Sequence, residues 1–146
     1  MDLVLATAAG QGYSPDCSIT PDEVGAGRPF PWMIFANAIR LQVEPLEAIV
    51  KIGDTVVDIE EGLRAGVWTV GVARTGNMIG LSAENLAMLP REQQTTRLEE
   101  ACAQLEAAGA HYVIDSVADC EPVIDAIESR LKRGDHPTGT VSEPSP

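Results

Sequence analysis

A strand that feeds a helix, with carboxylates at the junction, constrains this chain more than any other stretch. The apolar run Ala48 to Ile52 stops at Gly53, Asp54 and Asp58 follow four residues apart, and a helical pattern then runs to Gly66. A carboxylate at the C-terminal edge of a strand projects into the crevice where open parallel sheets bind ligands. A carboxylate one turn later lies on the same side of the helix. The pair suits one hard cation: Mg²⁺ takes oxygen ligands, keeps several waters and is usually shared with a substrate phosphate. A plainer reading has Thr55 capping the helix while Asp58, Glu60 and Glu61 favour the positive end of its dipole. The junction alone leaves both readings open.

The rest of the chain supports a layered α/β domain. Val67 to Ala73 reads as a parallel strand buried on both faces, because it is apolar without alternation. His111 to Asp115 is one more strand, and Cys17 to Thr20 a short candidate strand. Helical spacing predicts helices over residues 2–11, from Pro29 and Pro31 to about Leu41, from Ser82 to Leu89, over 91–108 with Gly109 as stop, and from Val117 to Leu131. Strands alternating with helices imply a largely parallel sheet. Three loops then converge on one edge of it: Thr20 to Pro29, Asp54 to Val57, and Arg74 to Gly80.

The loop at 20–29 matters for its arginine. Arg28 sits just before a helix N-terminus, where free backbone N–H groups and a guanidinium together suit a phosphate or another anion. Pairing with Asp22 or Glu23 at the surface is the alternative. The glycines of Arg74 to Gly80 do not follow the Gly-x-Gly-x-x-Gly order, so a dinucleotide fingerprint is not supported. His111, near the start of its strand, reads as an ordinary edge residue, since ligand-bearing ends in such sheets are the C-terminal ones.

Composition excludes several function classes. The 146 residues suffice for one domain with a real core. A net charge of −12 repels a nucleic-acid backbone, and an aromatic share of 4% leaves no stacking surface for single strands. Cys17, Cys102 and Cys120 are odd in number and lack Cys-x-x-Cys spacing, which points to reduced thiols in a cytoplasmic protein. No apolar run approaches the roughly 20 residues of a membrane span. No membrane or nucleic-acid partner is therefore expected, and a small phosphorylated molecule between Asp54, Asp58 and Arg28 is.

At this point the residues resemble a known family. The run Val50 to Asn77, the segments Tyr13 to Asp16 and Thr20 to Met33, and Ala110 to Asp115 on to about Arg133 are similar to phosphonoacetaldehyde hydrolase, of the haloacid dehalogenase superfamily. Gly53-Asp54-x-x-x-Asp58 alone would give only the superfamily. Gly27-Arg28-Pro29-x-Pro31-Trp32-Met33 and Ala65-Gly66-Val67-Trp68-Thr69-Val70-Gly71-Val72 point to this branch. The resemblance implies a Rossmann-like, three-layer core with a mostly parallel sheet over residues 1–133; the tail over 134–146, polar and with three prolines, reads as disordered from its composition.

The resemblance also implies roles. Arg28 falls on the basic residue that contacts the phosphoryl group, Asp54 on the Mg²⁺-binding acid, and Asp58 on the second acid, which supports the metal directly or through water. Family members cleave the carbon–phosphorus bond of phosphonoacetaldehyde, using a lysine Schiff base and an aspartate nucleophile. Homodimers are compatible with the full-length family. Neither the nucleophile motif, nor the second, Thr-containing motif, nor the cap domain with its lysine matches any segment here. Lys51 is no substitute, because it lies within a predicted buried strand. The expectation is therefore a C-terminal part, lacking the N-terminal strands and cap and inactive alone. A non-catalytic remnant that pairs its open sheet edge with another chain, or a superfamily phosphatase of other specificity, are the alternatives.

Overall fold

The computed structural model describes residues 2–137; of the expected disordered tail, residues 138–146 lie outside the described residues. Three strands, β1 (Val50–Gly53), β2 (Trp68–Val72) and β3 (Tyr112–Ile114), form one parallel sheet in sequence order among the described residues. Lys51 stands opposite Thr69, Gly53 opposite Gly71, and Val72 opposite Ile114. The central strand is buried along its whole length, as its unbroken apolar character requires.

The two-residue period of the strands divides the core. Trp68, Val70, Val50, Tyr112 and Ile114 pack with Val123, Ile127 and Leu131 of helix α7 (Cys120–Lys132). The opposite face carries Lys51, Gly53, Thr69 and Gly71, and covers itself with α4 (Val56–Ala65) and α6 (Arg91–Ala107). Small residues on that face let the helices approach closely. A Cβ on Gly71 would lie 3.0 Å from Leu105 Cδ1, and one on Gly62 of α4 would lie 2.4 Å from Thr69 Cγ2. Ile59, Leu63, Ala101 and Leu105 join between these helices in the larger apolar core. Helices on both faces of a parallel sheet make the three layers that the sequence pattern implies.

The remaining helices frame this unit. They are α1 (Asp2–Gly10), α2 (Pro21–Val24), α3 (Trp32–Leu41) and α5 (Ala83–Met88), with 3₁₀ turns at Leu46–Ala48, Asn77–Ile79 and Val117–Asp119. Ile34 of α3 packs on Ala65 and Val67, next to Phe35, Leu46 and Ile49. Ser82 caps α5 by accepting the Asn85 N–H at 3.2 Å. Gly66 and Gly109, at φ +72° and +95°, end α4 and α6 in the left-handed conformation that favours glycine.

Three expectations are corrected. Cys17 to Thr20 is not a strand: the segment pairs with no other strand, and without a ladder partner extended backbone is only a connection. The stretch 20–29 is not all loop, because α2 forms where the Glu23 carboxylate accepts the Thr20 N–H at 2.8 Å. The last helix also starts later than Val117. Ser116 accepts the Ala118 N–H at 3.2 Å and Asp119 accepts the Ser116 N–H at 3.0 Å, which closes a tight turn first.

Among the described residues β1 pairs with β2 on one side only, and its other edge carries no strand. Beside its free edge runs a groove of about 610 Å³, lined by Tyr13, Ile34, Leu41, Val43, Ile49 and Ile52 among others. Among the described residues no helix is long and apolar enough to cross a membrane, and Cys17, Cys102 and Cys120 are free. Leu105 is fully buried where α6 meets the sheet. Leu105→Ala should lower the unfolding free energy by about 2–5 kcal/mol in urea titration, and a loss below about 0.5 kcal/mol would show that α6 is not seated on Gly71.

Candidate functional site

The C-terminal ends of the strands carry the site. A hollow of about 290 Å³ there is lined by Arg28, Gly53, Asp54, Asp58, Thr75, Gly76 and Val117, with Ile52 and Val72 beneath. All three loops that the sequence brings to one edge thus contribute. So do the three residues singled out as candidates, Arg28, Asp54 and Asp58. A larger apolar hollow, about 640 Å³, lies away from these groups around Phe35, Ile39, Val43 and Leu46.

Asp58 is the hub of this cluster. It occupies the third position of α4, and Gly53 makes room for it: a Cβ on Gly53 would lie 2.2 Å from Asp58 Cβ. Its Oδ2 accepts the Thr55 N–H at 3.2 Å and the Thr55 hydroxyl, so the capping role foreseen for Thr55 is real and is shared with Asp58. Its Oδ1 accepts Arg28 Nη1 at 2.6 Å and lies 3.1 Å from Lys51 Nζ. Asp58 as a whole is only 2% exposed. Burial by itself raises its pKa, but the hydrogen bonds from Thr55 and Arg28 and the charge of Lys51 outweigh burial and bring it down to about 2.

Arg28 therefore does not pair with Asp22 or Glu23. Glu23 is taken by Arg40 at 2.9 Å, across the first turn of α2. The Arg28 side chain keeps 46% of its surface exposed at the mouth of the hollow. The hydrogen bond to Asp58, then its charge, raises the guanidinium pKa further and keeps it cationic.

Asp54 stands differently. Its Oδ2 accepts the Asn77 N–H at 3.0 Å, which ties the end of β1 to the loop after β2. Gly76 permits that approach, since a Cβ there would lie 2.7 Å from Asp54 Cβ and 2.3 Å from the Val72 carbonyl oxygen. Oδ1 of Asp54 accepts no hydrogen bond from the described residues, and Asp54 lines the hollow. Among the described residues no group of three or more His, Cys, Asp or Glu side chains could enclose a metal.

Two further charged groups belong here and escaped sequence reasoning. Lys51 Nζ bonds Glu61 Oε2 at 2.6 Å as well as approaching Asp58, and Glu61 is 1% exposed. Glu61 is thus no exposed dipole partner of α4. The signal was a lysine inside an apolar strand and a glutamate one turn beyond Asp58, since a buried charge demands a partner. His111 lies at the opposite ends of the strands, where Thr69 N–H donates to Nδ1 at 3.0 Å and Trp68 packs on its ring.

The depressed pKa of Asp58 has a signed consequence. Its contribution to stability is complete above its ordinary value of 3.8 and is lost as pH falls through about 2. Urea unfolding should lose about 2 kcal/mol more for the unaltered chain than for Asp58→Asn between about pH 5 and about pH 2. Parallel pH curves for the two would show that Asp58 is not held by its cations.

No protein-family model matches the chain. Individual relatives do. It is 56% identical over 137 residues to a phosphonoacetaldehyde hydrolase of Nitratidesulfovibrio vulgaris, covering 94% of this chain and 49% of that protein. It is 45% identical to a phosphonoacetaldehyde hydrolase-like protein of Syntrophobacter fumaroxidans, again over half of that protein. The crystal structure of a phosphonoacetaldehyde hydrolase-like protein from Oleispira antarctica superposes with a TM-score of 0.90 at 45% identity, covering 94% of this chain and 50% of that one. The chain spans about half the length of the curated relatives it matches. Over that half, in sequence and in fold, the chain is similar to phosphonoacetaldehyde hydrolases and has the core of haloacid dehalogenase-like hydrolases.

Proposed function

We propose that this chain supplies the metal-binding and phosphoryl-binding half of a phosphonoacetaldehyde hydrolase-like site. The observation that carries the reading is that Arg28, half exposed, and Asp54, with one oxygen that accepts no hydrogen bond from the described residues, line one hollow at the strand ends, with Asp58 fixed between the loops. The donor set fits Mg²⁺, which binds through one or two carboxylates and completes its shell with waters and substrate oxygens. Asp54 would hold the ion. Both oxygens of Asp58 are engaged by Thr55, Arg28 and Lys51, so Asp58 supports the site through those groups. Bound there, Mg²⁺ would neutralise charge on a phosphoryl group and orient it.

The chain's own residues have defined tasks in this reading. Arg28 meets the phosphoryl oxygens of a small phosphonate or phosphate, and Asp58 keeps its guanidinium aimed. Carbon–phosphorus cleavage to acetaldehyde and phosphate also requires a carboxylate nucleophile and a Schiff-base lysine, which the family carries in motifs absent from this sequence. The 146-residue chain should therefore bind inorganic phosphate and Mg²⁺ and release no phosphate from phosphonoacetaldehyde. Turnover by the isolated chain would overturn this account.

One observation favours a second reading, an interaction module. The unpaired edge of β1 beside an apolar groove suits a strand supplied from elsewhere. Hydrogen exchange separates the cases, because strongly protected amides on that edge in a compact monomer would count against an open pairing surface.

Two substitutions test the site. Asp54→Asn should weaken Mg²⁺ binding in calorimetry at least about tenfold, as expected when the one available carboxylate is lost. Arg28→Lys should weaken phosphate binding about tenfold, because an ammonium cannot both hold Asp58 and present a planar fork. Unchanged affinities would remove the two assignments one by one.

A further inference from the structure

We propose that Lys51 is a positioning residue for Arg28: its ammonium, held between Glu61 and Asp58, fixes the Asp58 oxygen on which the guanidinium hangs. The inference deepens the phosphoryl-binding reading and rests on it for its functional consequence, though not for its geometry.

Three features on the sheet's α4 face support it. Lys51 and Gly53 project toward α4, and Asp58 and Glu61, three residues apart, project back. The stem of Lys51 lies where Gly62 has no side chain, since a Cβ there would stand 3.0 Å from Lys51 Cβ and 3.2 Å from Lys51 Cγ. Glu61 leaves Oε1 buried with no hydrogen-bond partner among the described residues. A buried ion pair with an unmatched oxygen contributes little or nothing to stability compared with two apolar side chains of the same size. Its presence under the site therefore calls for another role.

Geometry supplies that role. Thr55 holds Oδ2 of Asp58 through backbone and hydroxyl, and because the carboxylate is planar Oδ1 moves only when the whole group turns about Cβ–Cγ, a rotation that a contact on Oδ1 opposes. Arg28 cannot provide that restraint, because it arrives from an exposed loop and is itself the group to be placed. Lys51 comes from β1, the rigid side, and reaches Oδ1 at 3.1 Å. Glu61 in turn pairs with Lys51 at 2.6 Å and offsets the cost of burying its charge. The relay runs from strand to carboxylate to guanidinium, so the direction of Arg28 is set by the sheet.

The test replaces the pair as a pair. Lys51→Met with Glu61→Gln removes one charge of each sign, so net charge is unchanged and no unpaired buried ion remains. In the 146-residue chain this double variant should weaken inorganic phosphate binding about tenfold and collapse the separate Arg28 guanidinium ¹⁵N–¹H signals into an averaged one. Glu61→Gln alone keeps Lys51 on Asp58 and should retain both readouts to within about twofold. The proposal falls if the folded double variant keeps the Arg28 signals and phosphate affinity, or if Glu61→Gln loses as much as the double variant. Should the unaltered chain bind no phosphate, the phosphoryl-binding reading fails, and the Arg28 signals still decide whether Lys51 positions it.

Discussion

The close seating of α4 on β1 and β2 is the constraint on which the rest depends. It is possible only because Gly53 and Gly62 carry no side chain where Asp58, Thr69 and Lys51 lie, as Gly71 carries none where Leu105 of α6 lies. Helix and strand come near enough for Asp58 to lie against the end of β1 and for Lys51 to lie along α4. A larger residue at Gly53 would push Asp58 outward, and the contacts to Thr55, Arg28 and Lys51 would go with it. The apolar core and the charged cluster are consequences of one packing distance.

That packing also explains the unequal states of the two acids. Asp54 and Asp58 are four residues apart, yet one is turned toward the hollow with a free oxygen and the other is enclosed by three donors. A strand end points its carboxylate outward, whereas the third position of a helix points its carboxylate back at the cap. The local backbone, more than the residue type, leaves Asp54 at the hollow and ties Asp58 into the protein.

Much of this was legible in the sequence because it is encoded locally. Thr55, Ser82, Gly66 and Gly109 mark helix ends by their own conformational preferences, and the unbroken apolar run at 67–73 announces a central parallel strand. What failed was tertiary. Cys17 to Thr20 has strand-like composition but no neighbour to pair with, and composition does not reveal a missing neighbour. Lys51 and Glu61 looked like a strand residue and a helix-surface residue, because their pairing depends on the distance that the glycines set. Arg28 was placed at a loop end correctly, while its partner, thirty residues along the chain, could not be chosen from Asp22 and Glu23 nearby.

The free edge of β1 ends at Gly53, and Gly53 is also a wall of the hollow that holds Asp54. Any strand that paired there in parallel would bring its own final residue to the rim of that hollow. Pairing a strand on that edge and adding a residue to the rim of the hollow would thus be a single thermodynamic event. Occupancy of the hollow by an anion or a cation would be linked to how tightly the added strand is held, and each would report on the other.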